Sequence, residues 1–205
     1  MKKFEEKSFN LPTGQAGIGE LKGISAKNIE EHLKLYSGYV KNLNTINQKI
    51  VELNKDKENN IYFLGELYRR FSFEYNGMKN HEIYFDSLSE GPREINMESI
   101  LYKKIVDNFG SFAEFLEDFQ TLALTRGIGW ASLWYNSERD ILMTSWVDEQ
   151  HLGQLNNTTM ILGIDMWEHA YVYDYPTSEK KNYIEAFFAN LNWEKIENNL
   201  KNAIK

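Results

Sequence analysis

The chain has 205 residues, enough for one large domain or two small ones around a sizeable core. Hydrophobic residues make up 42% and charged residues 26%, the balance of an ordinary globular protein, and the net charge of -7 argues against a nucleic-acid-binding surface. Cysteine is absent, which excludes disulfide scaffolds, thiolate metal sites, iron–sulfur clusters and cysteine nucleophiles.

No apolar run approaches the roughly 18 residues of a membrane span, so no membrane role is expected. The start, Met1-Lys-Lys-Phe-Glu-Glu-Lys7, has two lysines but no apolar stretch behind them. That argues against a secretory signal and makes a cytoplasmic location the expectation. Twelve Tyr, twelve Phe and five Trp call for a large core or an aromatic-lined site. Any imidazole chemistry must draw on His32, His81, His151 and His169, the four histidines of the chain.

In chain order, the Gly-rich stretch Leu11–Gly19 predicts an extended arm. Ser25 is a candidate N-cap for a helix whose apolar stripe is Ile29, Leu33, Tyr36, Val40, Leu43 and Ile46, reaching about Leu53. Lys55–Asn60 reads as a polar break. A second stripe, Ile61, Leu64, Leu67, Tyr68, Phe71, Tyr75 and Met78, continues to Phe85 and is stopped by Gly91-Pro92. Two long helices joined by a short polar loop predict an antiparallel hairpin. Met97–Phe109 and Ser111–Leu124 predict two shorter helices, the latter with a Ser111/Glu114 capping box. Trp130–Tyr135 and Ile141–Val147, separated by a polar turn, predict a strand pair, and Met160–Ile164 a third strand. Pro176–Leu191 and Trp193–Ile204 predict the last helices. The expected fold is α+β: an arm and helical hairpin over residues 1–92, then a mixed domain over 93–205 with a small three-stranded antiparallel sheet flanked by helices.

Asp165-Met-Trp-Glu-His169 is the most informative stretch. On a helix, Asp and His four apart are commonly a surface pair. Here they sit among Ile161, Leu162, Ile164, Met166, Trp167 and Tyr171, which predicts burial, and buried charges must be paired or bind a metal. His32 and His81 lie on the two hairpin helices, where bundle metal sites place facing ligands. Three imidazoles and a carboxylate suit iron or manganese, and zinc equally by donor type. A di-iron carboxylate site is not supported, because the residues three before the histidines are Ile29, Met78, Asp148 and Met166, none of them Glu. Nucleophile-elbow, P-loop and dinucleotide-binding patterns are also missing.

The chain resembles the iron/manganese superoxide dismutases from about Leu11 to its end. The resemblance is carried by Tyr39-Val-Lys-Asn-Leu-Asn44, Asn80-His81, Gly110-Ser-Phe112, Gly129-Trp130, Leu162-Gly-Ile-Asp-Met-Trp-Glu-His-Ala-Tyr171 and Asn192-Trp193. It implies one manganese or iron ion per subunit, manganese preferred, held by His32, His81, Asp165 and His169. The family usually has eight residues from the first ligand to the tyrosine of the Tyr-Val motif. Here His32 to Tyr39 is a step of seven, so an ungapped alignment puts Glu31 in the ligand position and a gapped one puts His32 there. His32 is preferred because Tyr39 then follows two turns later on the same face. The presence or absence of a π-bulge can absorb such a one-residue difference.

The resemblance also implies that Tyr39 stands at the mouth of the substrate channel and that Trp130 and Trp167 wall the metal. Gly77 stands one turn before His81, so a glutamine reaching the metal's solvent would come from the later loop as Gln150, with His151 as the alternative. Glu168 would reach His169 of a second subunit across a two-fold axis, making a homodimer. A further polar pair of the family is replaced by Val172 and by Leu35 or Tyr36. The implied activity is the conversion of superoxide to oxygen and hydrogen peroxide, by one-electron cycling of the metal. With an anionic substrate and a net charge of -7, local cations must do the attracting, and Lys34 and Lys180 are the candidates. The alternative is a non-catalytic, metal-binding or structural protein with the same fold.

Overall fold

The computed structural model describes residues 2–9, 11 and 21–205. The expected Gly-rich arm, apart from Leu11, lies outside these residues. The element order is α1 (Ala26–Leu53), α2 (Lys57–Leu88), α3 (Ile100–Phe109), α4 (Phe112–Ala123), β1 (Gly129–Asn136), β2 (Ile141–Asp148), β3 (Thr158–Asp165), α5 (Lys180–Ala189) and α6 (Trp193–Ile204). This is the α+β arrangement expected. Among the described residues, no helix is long and apolar enough to cross a membrane.

Helix α1 begins where the cap residue dictates. Ser25 is extended and its side chain accepts the Asn28 backbone N–H at 3.1 Å, satisfying one of the free donors of the first turn. The apolar stripe then buries Ile29, Tyr36, Val40, Leu43, Ile46 and Ile50. The polar break is shorter than expected. A single 3₁₀ turn, Asn54–Asp56, makes the connection, and Lys57–Asn60 already form the first turn of α2. Lys, Glu and Asn are tolerated in a helix, and Asp56 holds Asn59 at 3.0 Å and Asn60 at 2.7 Å through their side-chain amides. Ile46 and Ile50 meet Leu64 near this turn, while His32 and Tyr39 meet His81 farther along, so the pair is antiparallel. Residues before α1 run beside it: Phe4 N–H donates to Asn44 and Lys7 N–H to the Tyr36 hydroxyl.

Helix α2 runs three residues past Phe85, to Leu88. Helix α3 starts later than Met97 because Ser99 caps it, accepting from Tyr102 N–H at 3.0 Å. The segment after Pro176 opens with a 3₁₀ turn, Thr177–Glu179, before α5. The sheet order is β2-β1-β3, with β1 central and antiparallel to both neighbours. Strand β1 is buried from Gly129 to Tyr135 and pairs Trp130 with Val147 on one side and Asp165 on the other. Gly129 opens β1 with φ +153°, and a Cβ there would lie 2.0 Å from the Val147 carbonyl oxygen. Only glycine fits that approach. Among the described residues, the main hydrophobic core joins α1 and α2 to Leu101, Phe115, Trp130, Leu162 and Phe187, and a smaller cluster of Ile46, Ile50 and Leu64 lies near the hairpin turn.

Candidate metal centre

Four elements deliver the candidate ligands. Helix α1 supplies His32, α2 supplies His81, the last residue of β3 is Asp165, and the 3₁₀ turn Glu168–Ala170 supplies His169. Asp165 and His169 are therefore not a helical surface pair. The chain leaves the strand through an extended Trp167, and the turn swings the imidazole back over the carboxylate. One ligand atom from each residue lies within 4.8 Å of the other three. Asp165 Oδ2 is 3.1 Å from His32 Nε2, 3.1 Å from His169 Nε2 and 3.5 Å from His81 Nε2.

The surroundings fix each group. Asp165 Oδ1 accepts the Trp167 backbone N–H at 2.9 Å, leaving Oδ2 to the imidazoles. The Tyr183 hydroxyl donates to the Asp165 carbonyl at 3.0 Å and lies 3.2 Å from the Tyr84 hydroxyl. Asn28, one turn before His32, donates to the Ala170 carbonyl at 2.7 Å and ties α1 to the His169 turn. His81 Nδ1 lies 2.7 Å from the Gly77 carbonyl and donates to it. That bond selects the tautomer whose Nε2 is a lone-pair donor, and among the described residues this buried Nε2 has no hydrogen-bond partner.

The electrostatics point the same way. Burial pushes the His32 imidazole below its usual range, with Asp165 opposing. Burial, then the neighbouring His32, takes His81 down to about 3. Burial works to raise the Asp165 carboxyl, yet the facing imidazoles of His169 and His32 hold it well below the carboxylate range. His169 is less buried, and the Asp165 charge draws it upward against desolvation. An ionised carboxylate thus sits among imidazoles with a vacant donor atom. A buried anion so placed calls for a cation, and three nitrogens with one oxygen fit a single first-row metal ion.

Around the cluster, Trp130 meets His81 edge-on at 5.1 Å between ring centroids, and Trp167 stacks on His169 at 5.7 Å. Tyr39 lies 4.9 Å from the His81 ring. Helix α1 is a regular α-helix throughout, without a π turn, so the seven-residue step places His32 and Tyr39 on one face. Glu31 points away, half-exposed and paired with Lys27 and Lys34. Gly77 makes room for Tyr39: a Cβ there would lie 2.4 Å from the tyrosine ring. Fully buried Gln150 donates to the Tyr39 hydroxyl at 2.9 Å and accepts from Trp130 Nε1 at 2.9 Å. Asn80 pins its loop by donating to the Gln150 carbonyl at 3.0 Å.

The remaining expected residues lie elsewhere. His151 is not among the four clustered donors and packs edge-on against Phe73 at 5.7 Å. Lys34 is exposed and engaged with Glu31 at 2.8 Å. Lys180 donates to the Thr125 carbonyl at 2.9 Å, lies over the Trp146 ring, and is lowered from its usual range chiefly by burial. Glu168 is exposed beside His169. The sequence motifs single out neither Asn28 nor Tyr183. Asn28 carried a signal, being four residues before His32 on the same helical face; Tyr183 carried none.

A family description, iron/manganese superoxide dismutases, C-terminal domain, matches residues 97–199. A mitochondrial manganese superoxide dismutase of Glossina morsitans morsitans is 33% identical over 190 residues, covering 91% of this chain and 86% of the relative. An iron superoxide dismutase of Aquifex pyrophilus is 32% identical, covering 90% and 88%. A manganese superoxide dismutase of Mycolicibacterium fortuitum is 32% identical, covering 93% and 91%. With matches of this extent over nearly its whole length, the chain belongs to the iron/manganese superoxide dismutases.

Proposed function

We propose that the chain dismutes superoxide at one iron or manganese ion held by His32, His81, Asp165 and His169. The observation that carries this reading is the convergence of four donor atoms within 4.8 Å around a buried carboxylate. Held there, such an ion would supply the one-electron redox chemistry that dismutation of superoxide to oxygen and hydrogen peroxide needs. The side chains supply geometry and protons. Gln150 has one amide N–H on Tyr39 and its oxygen on Trp130, so its other N–H would be the one to hold solvent bound by the metal. Burial, then the charges of Asp165 and Glu74, push the Tyr39 phenol above its usual range, so it stays protonated at neutral pH. Because the hydroxyl accepts from Gln150, its own proton is free to pass outward or inward. Tyr39 is only half-buried whereas Gln150 is fully buried, which supports Tyr39 as the step between bulk water and the cluster. Trp130 and Trp167 keep other water from the ligands.

Manganese is the preferred ion in this reading. It is supported by Gly77, whose space Tyr39 fills, together with a glutamine that comes from the loop as Gln150. A homodimer is supported by exposed Glu168 next to a His169 that keeps some exposure. Leu35 and Val172 are 40% and 52% exposed, while Tyr36 is buried with its hydroxyl on Lys7. That pattern supports an apolar Leu35–Val172 contact at the two-fold axis. Elemental analysis with a superoxide assay tests the function. The expected result is iron or manganese in the purified chain and dismutation above that of the free ion.

A further inference from the structure

Glu74 is a carboxylate only 2% exposed on α2, next in sequence to Phe73, whose ring lies near Tyr39. Arg70, one turn earlier on α2, donates from Nε to Glu74 Oε1 at 2.9 Å. Its guanidinium carbon also lies 3.7 Å above the centre of the Phe73 ring. Phe73 in turn lies 6.0 Å from the Tyr39 ring and 5.7 Å from His151. From α1, Asn42 Nδ2 reaches the other Glu74 oxygen at 3.5 Å. Arg70 therefore stands one ring away from Tyr39, through Phe73, with Glu74 as its partner on the same helix. The two charges act on the Tyr39 phenol in opposite senses, after burial and Asp165: Glu74 raises its pKa and Arg70 lowers it.

A buried carboxylate at an entrance is a barrier to an anion. In a medium less polar than water, like charges repel over several ångströms, and exposed lysines elsewhere on the surface do not cancel this. Lys34 and Lys180 are already engaged with Glu31 and the Thr125 carbonyl. Arg70 is half-exposed and hydrogen-bonded to Glu74 itself.

We propose that Arg70 neutralises Glu74 at the Tyr39 entrance, and that this local cancellation admits the anionic substrate to a chain of net negative charge. The proposal rests on superoxide being the substrate and on Tyr39 marking its way in. Arg70 acts through its field and through the ring it holds; it touches neither the metal ligands nor the reacting atoms.

The test is a charge cycle read by pulse radiolysis across ionic strength, on metal-loaded protein whose metal content and melting temperature are recorded for each variant. Arg70→Gln exposes the Glu74 charge, so kcat/KM should fall roughly threefold to tenfold at low salt and recover as salt screens the repulsion. Glu74→Gln leaves a lone cation, so kcat/KM should rise at low salt and decline as salt is added. The double variant should return to within about twofold of the wild type, and Arg70→Lys, which keeps the charge, should do the same. Lys201→Gln, on α6 and paired with Glu197, makes the same change in net charge and should behave as wild type. Unchanged kcat/KM in Arg70→Gln overturns the proposal. So does a loss that ignores salt and persists in the double variant, since packing alone would then explain it. A metal-loaded wild type without dismutation defeats the functional reading itself, and this inference with it; an active wild type with an indifferent Arg70→Gln defeats only the inference.

Discussion

Gln150 donates its side-chain amide to the Tyr39 hydroxyl across 2.9 Å, joining residues 111 positions apart in the chain. The same amide accepts the Trp130 indole N–H, so its orientation is set before substrate arrives. Tyr39→Phe removes the proton-bearing hydroxyl but no ligand. It should leave metal content unchanged and slow turnover at high superoxide concentration, as followed by stopped flow. Metal loss in this variant would make Tyr39 a support of the fold. Gln150→Ala should do more. It strands the buried Trp130 N–H, which costs about 1–3 kcal/mol of stability, and it should lower activity roughly 10–100-fold. Denaturant titration and the superoxide assay read the two effects separately.

Gly77→Ala tests the space beside Tyr39. The new methyl would stand 2.4 Å from the tyrosine ring, so the ring or the helix must move. Overpacking of this kind costs about 1–3 kcal/mol. The expected result is a lower melting temperature with metal still bound, and slower turnover because Tyr39 is displaced. A variant as stable and active as the wild type would show that α1 yields freely there.

The first-ligand position separates His32 from Glu31. His32 is fully buried against Asp165, and Glu31 is on the surface between two lysines. His32→Ala should cut metal content and activity sharply, and Glu31→Ala should change neither. The reverse outcome, read by elemental analysis, would place the chain's first ligand one residue earlier.

Glu168→Ala probes the subunit contact. If the carboxylate fixes the imidazole of a second copy's ligand, its loss should weaken both association and metal retention, seen as a concentration-dependent shift in sedimentation and faster loss to a chelator. A variant that stays dimeric, metallated and active would mean that Glu168 is an ordinary surface residue.

Much of this molecule was legible from the sequence because its signals are local. The Ser25 cap and the stripe from Ile29 to Ile46 define α1, and the polar turn after Tyr135 separates the two strands that do pair. The nearness of His32, His81, Asp165 and His169 was readable through the family motifs, which stand for long-range packing that no periodicity encodes. What stayed hidden depends on that packing. The end of the polar break at Asp56 is set by side-chain bonds within the first turn of α2. His151 and Gln150 are adjacent in sequence, yet one faces Phe73 and the other Tyr39. Lys34 and Lys180 look alike as surface cations until their partners, Glu31 and the Thr125 carbonyl, are seen. The Arg70–Glu74 pair reads as an ordinary helix-surface pair four residues apart. Its nearness to Tyr39, through Phe73, follows only from how α1 lies on α2.

The most direct test of the account is to titrate metal-free chain with manganese, and separately with iron, while following superoxide dismutation and bound metal together. The account predicts activity that rises in proportion to bound ion and levels off at one ion per chain for at least one of the two metals, with His32→Ala chain showing no such rise. Full occupancy of the wild-type chain by either metal, with no dismutation beyond that of the free ion for both, would contradict it.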